Sequence, residues 1–337
     1  MNAPVPNPLL ELRKLGESVW LDDISRRMLQ DGSLARLIRD DGVAGLTSNP
    51  AIFAHSMMTD PQYAQPIAQL LPRMSSGIAL YEELALEDLR AAAALLRPLY
   101  DATAGGDGYV SMEVSPHLAY DGPGTLAEAR RLWERLRLPN ALIKIPGTEA
   151  ALPVIRDLIA AGVNVNVTLL FSPERYRAVA RAYMEGLSAR AAAGQPLGRV
   201  ASVASFFLSR IDTAVDALLD GLAARGARPQ RLLWASTSTK DPGYSPIKYV
   251  EELVVPNTVN TMPLETLDAY LRLGRPELRL ERHIAEGCDA HEGLERLDVD
   301  LEAVAAQLER EGVRKFIEPF DRLQQWLEEG RRGRRAS

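Results

Sequence analysis

Cysteine is almost absent. Cys288 stands alone among 337 residues, so no internal disulfide can form and the composition fits a reducing compartment. Histidine is scarce too: His55, His117, His283 and His291 show no ligand spacing, and with a single thiol no metal is expected. Net positive charge is missing as well. Lys and Arg number 39 against 45 Asp and Glu, and the balance of −6 gives no electrostatic reason to expect a nucleic-acid partner. No window approaches the ~18 uninterrupted apolar residues of a membrane span. The opening stretch MNAPVPNPLLELRKLGESVW lacks a basic segment followed by an apolar core. The expectation is a soluble, cytoplasmic protein with no membrane partner. Gly-x-Gly-x-x-Gly after a strand, Gly-x-x-x-x-Gly-Lys-Ser/Thr and Gly-x-Ser-x-Gly are also lacking, so neither a nucleotide cofactor nor a serine nucleophile is indicated.

What is present is rhythm. Runs rich in Val, Ile, Leu and Thr recur along the chain: SVWLDDIS, GVAGLTSNP, GYVSMEVSP, ALIKIPG, VNVNVTLLFS, VASVASFFLS, RLLWASTSTK and TVNTMP. Segments with helical spacing separate them, among them TLAEARRLWERLRL, SRIDTAVDALLDGLAA and SPERYRAVARAYMEGLSARAAAG, the last with Ser172 as N-cap and Pro173 at the first helical position. Alternation of this kind signals βα units around a parallel sheet, and eight runs suit a closed (β/α)8 TIM barrel. Extra helices are expected between HSMMTDPQ and RAAAALLRPLY. With no Ser/Gly-rich linker and no shift in composition, residues 1–337 read as one α/β domain, and the run RRGRRAS at 331–337 as a disordered basic tail.

Alternate residues of a barrel strand face the interior and the helix layer. In VNVNVT the valines suit the helix layer, which turns Asn164, Asn166 and Thr168 inward. The same parity turns Ser111, Glu113 and Ser115 inward in YVSMEVS, and Lys144 in ALIKIPG. Ser205 and Phe207 share one face of VASFFLS. Trp234, Ser236, Ser238 and Lys240 share one face of WASTSTK, while Asp22 and Asn49 close the first two runs. Polar side chains thus converge near the strand C-termini, where barrel active sites are built. Burying so many at one end is costly unless they act together.

Lys144 has two readings. Its stem packs while the ammonium reaches water, or it is a desolvated amine beside Glu113, Asn166 and Thr168, equipped to form a Schiff base with a ketone. In the second reading Glu113 or Asp22 moves protons. Arg210, after the sixth run, either makes a helix-terminal salt bridge or binds phosphate with its guanidinium fork. Ser236, Ser238 and Lys240 would complete such an anion site.

From VWLDDISR to KFIEPFDRL the chain resembles the transaldolase family, through LTSNPAIF, MEVSP, LIKIPGTEAAL, VNVTLLFS and WASTSTKDPGYSP in that order. The resemblance implies a cofactor-independent enzyme acting on sugar phosphates. It would carry a dihydroxyacetone unit from sedoheptulose 7-phosphate to glyceraldehyde 3-phosphate, giving erythrose 4-phosphate and fructose 6-phosphate. It implies Lys144 on the fourth strand as Schiff-base nucleophile, Glu113 and Thr168 holding a catalytic water, and Asp22 as acid/base on the substrate hydroxyl. Asn49 and Asn166 would contact the dihydroxyacetone unit, Thr47 and Ser205 would line the pocket, and Arg210 would bind phosphate. The similar fructose-6-phosphate aldolases, which release free dihydroxyacetone, are the alternative. They use a tyrosine and a glutamine where this chain has Phe207 and Glu113, which favours transfer. The chain departs from well-known members at Ser238, where they carry arginine; Lys240, two residues on, is the candidate replacement. Monomer and homodimer both remain open.

Overall fold

Each of the eight apolar runs contributes one strand in the computed structural model, which describes residues 7–206, 225–283 and 300–335. The strands are β1 (Ser18–Leu21), β2 (Gly45–Leu46), β3 (Tyr109–Glu113), β4 (Ala141–Pro146), β5 (Val165–Leu170), β6 (Ser202–Phe206), β7 (Arg231–Trp234) and β8 (Val259–Met262). All pairings are parallel, and β8 pairs back onto β1 from Ser18↔Val259 to Leu21↔Met262, closing a barrel in chain order. The fold is therefore the expected (β/α)8 barrel.

Parity works where the strands are regular. Val110, Met112, Ile143, Ile145, Val165 and Val167 are buried in the core between barrel and helices. Trp20, Ala44, Tyr109, Leu142, Val203, Leu233 and Val259 form a separate cluster filling the lower interior. That plug explains Gly45: a Cβ there would sit 2.5 Å from the Trp20 ring. β7 departs from expectation. Leu233, paired with Ser205, is the inward residue, and Trp234 belongs to the outer core. The strand stops at Trp234, and Ser236 adopts a left-handed φ of 48°, so alternation no longer relates Trp234 to Ser236, Ser238 and Lys240.

Helices form where apolar spacing and caps agree. Helix Pro173–Ala192 starts at Ser172, whose side chain accepts from the Arg175 N–H, with Pro173 at its first position as the sequence predicts. Helix Gly122–Leu136 buries Ala129, Leu132 and Leu136 against the barrel. The extra helices between β2 and β3 are Pro50–Thr59, Ala64–Leu70 and Gly77–Ala102. The helix expected over SRIDTAVDALLDGLAA lies outside the described residues. A last helix, Leu301–Arg335, packs on Pro50–Thr59, on Gly77–Ala102 and on the end of β5. Most of the basic run at the chain end continues this helix, with Arg331 paired to Glu328 at 2.9 Å. Cations suit a helix C-terminus, where carbonyls are left unpaired.

Candidate active site

Strand register sets the central residues side by side. Glu113 pairs with Lys144 across β3 and β4, and Lys144 pairs with Asn166 across β4 and β5. Paired residues of neighbouring parallel strands project to the same side, about 5 Å apart. Three inward polar side chains at one level follow from that alone.

Lys144 is only 6% exposed. Its Nζ donates to the Ser48 carbonyl at 3.2 Å and lies 3.3 Å from Glu113 Oε2. The second contact has ion-pair distance without hydrogen-bond alignment, so Glu113 Oε2 is buried with no hydrogen-bond partner among the described residues. Burial pushes the Glu113 carboxyl up to about 7; the Lys144 charge opposes the shift and the Asp22 charge adds to it. An acid raised that far is a far better base than an ordinary carboxylate, and it sits against the amine that must lose a proton to become a nucleophile.

The remaining polar groups hold one another. Thr47 Oγ1 donates to Asp22 Oδ1 at 2.8 Å, orienting the carboxylate at the end of β1. Asn166 is fixed at both ends of its amide: Ser205 Oγ donates to its Oδ1 at 2.8 Å, and its Nδ2 donates to Ser111 Oγ at 3.1 Å. Asn49 caps helix Pro50–Thr59, accepting the Ile52 N–H at 2.9 Å through Oδ1. The cap occupies that oxygen and orients the rest of the amide. Thr168 is buried beside Pro146. The next residue, Leu169, has a φ of 61° where the β5–β6 register slips. A left-handed leucine in a bulge is strained backbone, and bulges of this kind re-aim neighbouring side chains beside active sites.

The candidate anion residues on the segment after β7 bond to one another and to β8. Lys240 is exposed and donates to Ser238 Oγ at 2.8 Å, while the Ser236 N–H is held by Thr261 Oγ1 at 2.8 Å. Phe207 and Arg210 lie outside the described residues, as does Cys288. A recess of about 420 Å3 lined by Trp133, Arg137 and Leu138 opens near the start of β4 and contains none of the site residues.

Two contributors were not anticipated. Ser48 acts through its backbone carbonyl, which side-chain parity cannot rank, and its own hydroxyl donates to the Ser111 carbonyl at 2.8 Å. Phe316 comes from the last helix, with its ring centroid 5.6 Å from Lys144 Nζ. Only the NP dipeptide after Ser48, which forces a helix start there, hinted at the first; nothing local hinted at the second.

Residues 19–327 match the family model described as Transaldolase/Fructose-6-phosphate aldolase. Among curated relatives, a protein named Transaldolase from Thiobacillus denitrificans is 44% identical, covering 93% of this chain and 97% of its own. Another of that name from Trichodesmium erythraeum is 41% identical over 96% of this chain and 98% of its own. A third, from Saccharopolyspora erythraea, is 42% identical over 94% and 96%. The chain therefore belongs to the transaldolase/fructose-6-phosphate aldolase family.

Proposed function

We propose that this protein is a transaldolase that transfers a dihydroxyacetone unit between sugar phosphates through a Schiff base on Lys144. The observation that carries the reading is the juxtaposition, on neighbouring strand ends of a barrel, of a buried amine with a buried carboxyl whose Oε2 has no hydrogen bond among the described residues. In this reading Glu113 takes the proton that Lys144 must lose, and with Thr168 it positions the water that enters and leaves at carbinolamine and iminium stages. Asp22, steadied by Thr47, exchanges a proton with the substrate hydroxyl as the carbon–carbon bond breaks. Asn49 and Asn166 orient the three-carbon unit, with Ser205 and Phe207 lining the pocket. Arg210, Ser236, Ser238 and Lys240 receive the phosphate. The amine is itself the electron sink, so no cofactor enters the scheme.

The donor is sedoheptulose 7-phosphate and the acceptor glyceraldehyde 3-phosphate, by family likeness. Among the described residues no helix is long and apolar enough to cross a membrane. Together with the lone cysteine, this supports a cytoplasmic enzyme working on small dissolved substrates. One domain is the natural division, because the last helix packs back on helices inserted after β2.

The test is borohydride reduction in the presence of fructose 6-phosphate, followed by intact mass and peptide mapping. A reduced dihydroxyacetone adduct on Lys144 is expected. Its absence, with sugar-phosphate binding shown separately, would make Lys144 structural.

A further inference from the structure

The strand ends and the loops that follow them supply the groups assigned so far, and among them the Lys144 amine is buried. Phe316 covers it. Its ring centroid lies 5.6 Å from Lys144 Nζ, within reach of a cation–π contact when the amine is charged. The helix that carries it is held on both sides of that ring. Before it, Gly312 lies so close to β5 that a Cβ would sit 2.8 Å from Leu169 Cδ2, and Val313, Phe316 and Ile317 pack with Leu169. After it, Phe320 stacks edge-on against Tyr81 at 5.5 Å, and Asp321 meets His117 at 2.7 Å. Further on, Glu328 accepts the Gly77 N–H. Leu169, the left-handed residue that follows Thr168, is thus also the side chain of β5 against which this helix packs.

We propose that Phe316 determines the outcome of the reaction: its ring keeps solvent from the three-carbon enamine on Lys144, so that the enamine waits for an aldehyde. This rests on the Schiff-base reading above. After the donor carbon–carbon bond breaks, the enamine has two fates. In transfer, its nucleophilic carbon bonds to the acceptor carbonyl carbon, the acceptor oxygen takes a proton, and water then cleaves the iminium to release a ketose phosphate. In loss, the same carbon takes a proton instead. Water adds to the resulting iminium, the carbon–nitrogen bond breaks, and free dihydroxyacetone leaves with the amine restored. Both fates use water at the iminium, but only loss requires a proton delivered to the enamine carbon before an acceptor arrives. An apolar ring over the amine obstructs that delivery and contributes no proton of its own.

The experiment compares two rates on the full chain with fructose 6-phosphate as donor: dihydroxyacetone release without acceptor, and sedoheptulose 7-phosphate formation with erythrose 4-phosphate. Phe316→Ala should raise the ratio of release to transfer by about tenfold, and Phe316→Leu, which keeps apolar bulk, by less. Phe320→Leu loosens the same helix away from Lys144; it should lower Tm and leave the ratio alone. An unchanged ratio in Phe316→Ala would overturn the proposal, as would an equal shift in Phe320→Leu. If Phe316→Ala fails to fold, Phe316→Leu decides by the same ratio. Borohydride trapping on the unsubstituted protein separates the two claims. No Lys144 adduct removes the Schiff-base reading and this inference with it, whereas an adduct with an unmoved ratio removes the inference alone.

Discussion

Two ion pairs, one partly buried and one fully buried, occupy opposite ends of the barrel, and they are built differently. At the lower end Arg231 meets Asp107 at 3.2 Å, and both carboxylate oxygens are used: Trp20 Nε1 donates to Oδ1 at 3.2 Å and Ser18 Oγ to Oδ2 at 2.5 Å. Arg231 also donates to Ser18 Oγ at 2.7 Å, to the Thr258 carbonyl at 2.6 Å and to the Gly106 carbonyl at 3.1 Å. At the upper end Lys144 and Glu113 lie 3.3 Å apart, with Glu113 Oε2 lacking a hydrogen bond among the described residues. A saturated pair ties strands β1, β3, β7 and β8 together where barrels are stabilised. An unsaturated pair keeps donor and acceptor capacity for a substrate. The two pairs thus differ in hydrogen bonding as well as in burial.

The sharpest way to break the comparison is at Lys144. Lys144→Ala should lower transfer by about 10^4-fold or more while leaving the folded state intact, measured by coupled turnover assay and thermal unfolding. Substantial residual turnover would take Lys144 out of the mechanism. Asp107→Ala should behave inversely, costing about 1–3 kcal/mol of stability because the Trp20 and Ser18 donors lose their partner, while Arg231 keeps its other acceptors. Denaturant unfolding checks the loss, and a small change in midpoint would show that the lower pair is dispensable.

A smaller effect sharpens the role assigned to Glu113. Glu113→Gln should reduce kcat by about 10^2–10^3-fold, since it keeps the shape but cannot accept a proton. The unsubstituted enzyme should lose activity below about pH 7 as the Glu113 carboxyl is protonated, and the variant should lack that limb. The same group sets the smallest effect, on stability. Its folded value of about 7 exceeds the ordinary glutamate value of about 4.3, so between these limits the folded state binds more protons than the unfolded one. Stability should therefore fall as pH rises through that window, and the slope should flatten in Glu113→Gln. A parallel pH dependence of Tm in both proteins would mean that Glu113 is an ordinary exposed-type acid.

Much of the site was legible because strand alternation is rigid geometry. Lys144, Glu113, Asn166, Thr168 and Ser205 could be turned inward from the valines and isoleucines that flank them, without reference to any partner. Asn164 shows the limit of that argument. It has the same parity as Asn166, yet at the lower end of β5 it bridges strands, its Nδ2 donating to the Pro139 and Ala141 carbonyls and its Oδ1 accepting the Ala201 N–H. Parity reports the face of a sheet but not the height along the barrel. At β7 even parity lapsed, because the strand ended at Trp234 before the serines and Lys240 that were to continue it.

The number of strands, their order as βα units and the inward face of the catalytic candidates follow from apolar spacing and alternation, which are local properties of the chain. Barrel closure decided the rest. It set the register that places Glu113 beside Lys144, brought the Ser48 carbonyl to the amine and carried Phe316 to within 5.6 Å of it. These contacts join residues far apart in the chain, and their formation depends on burying many side chains at once.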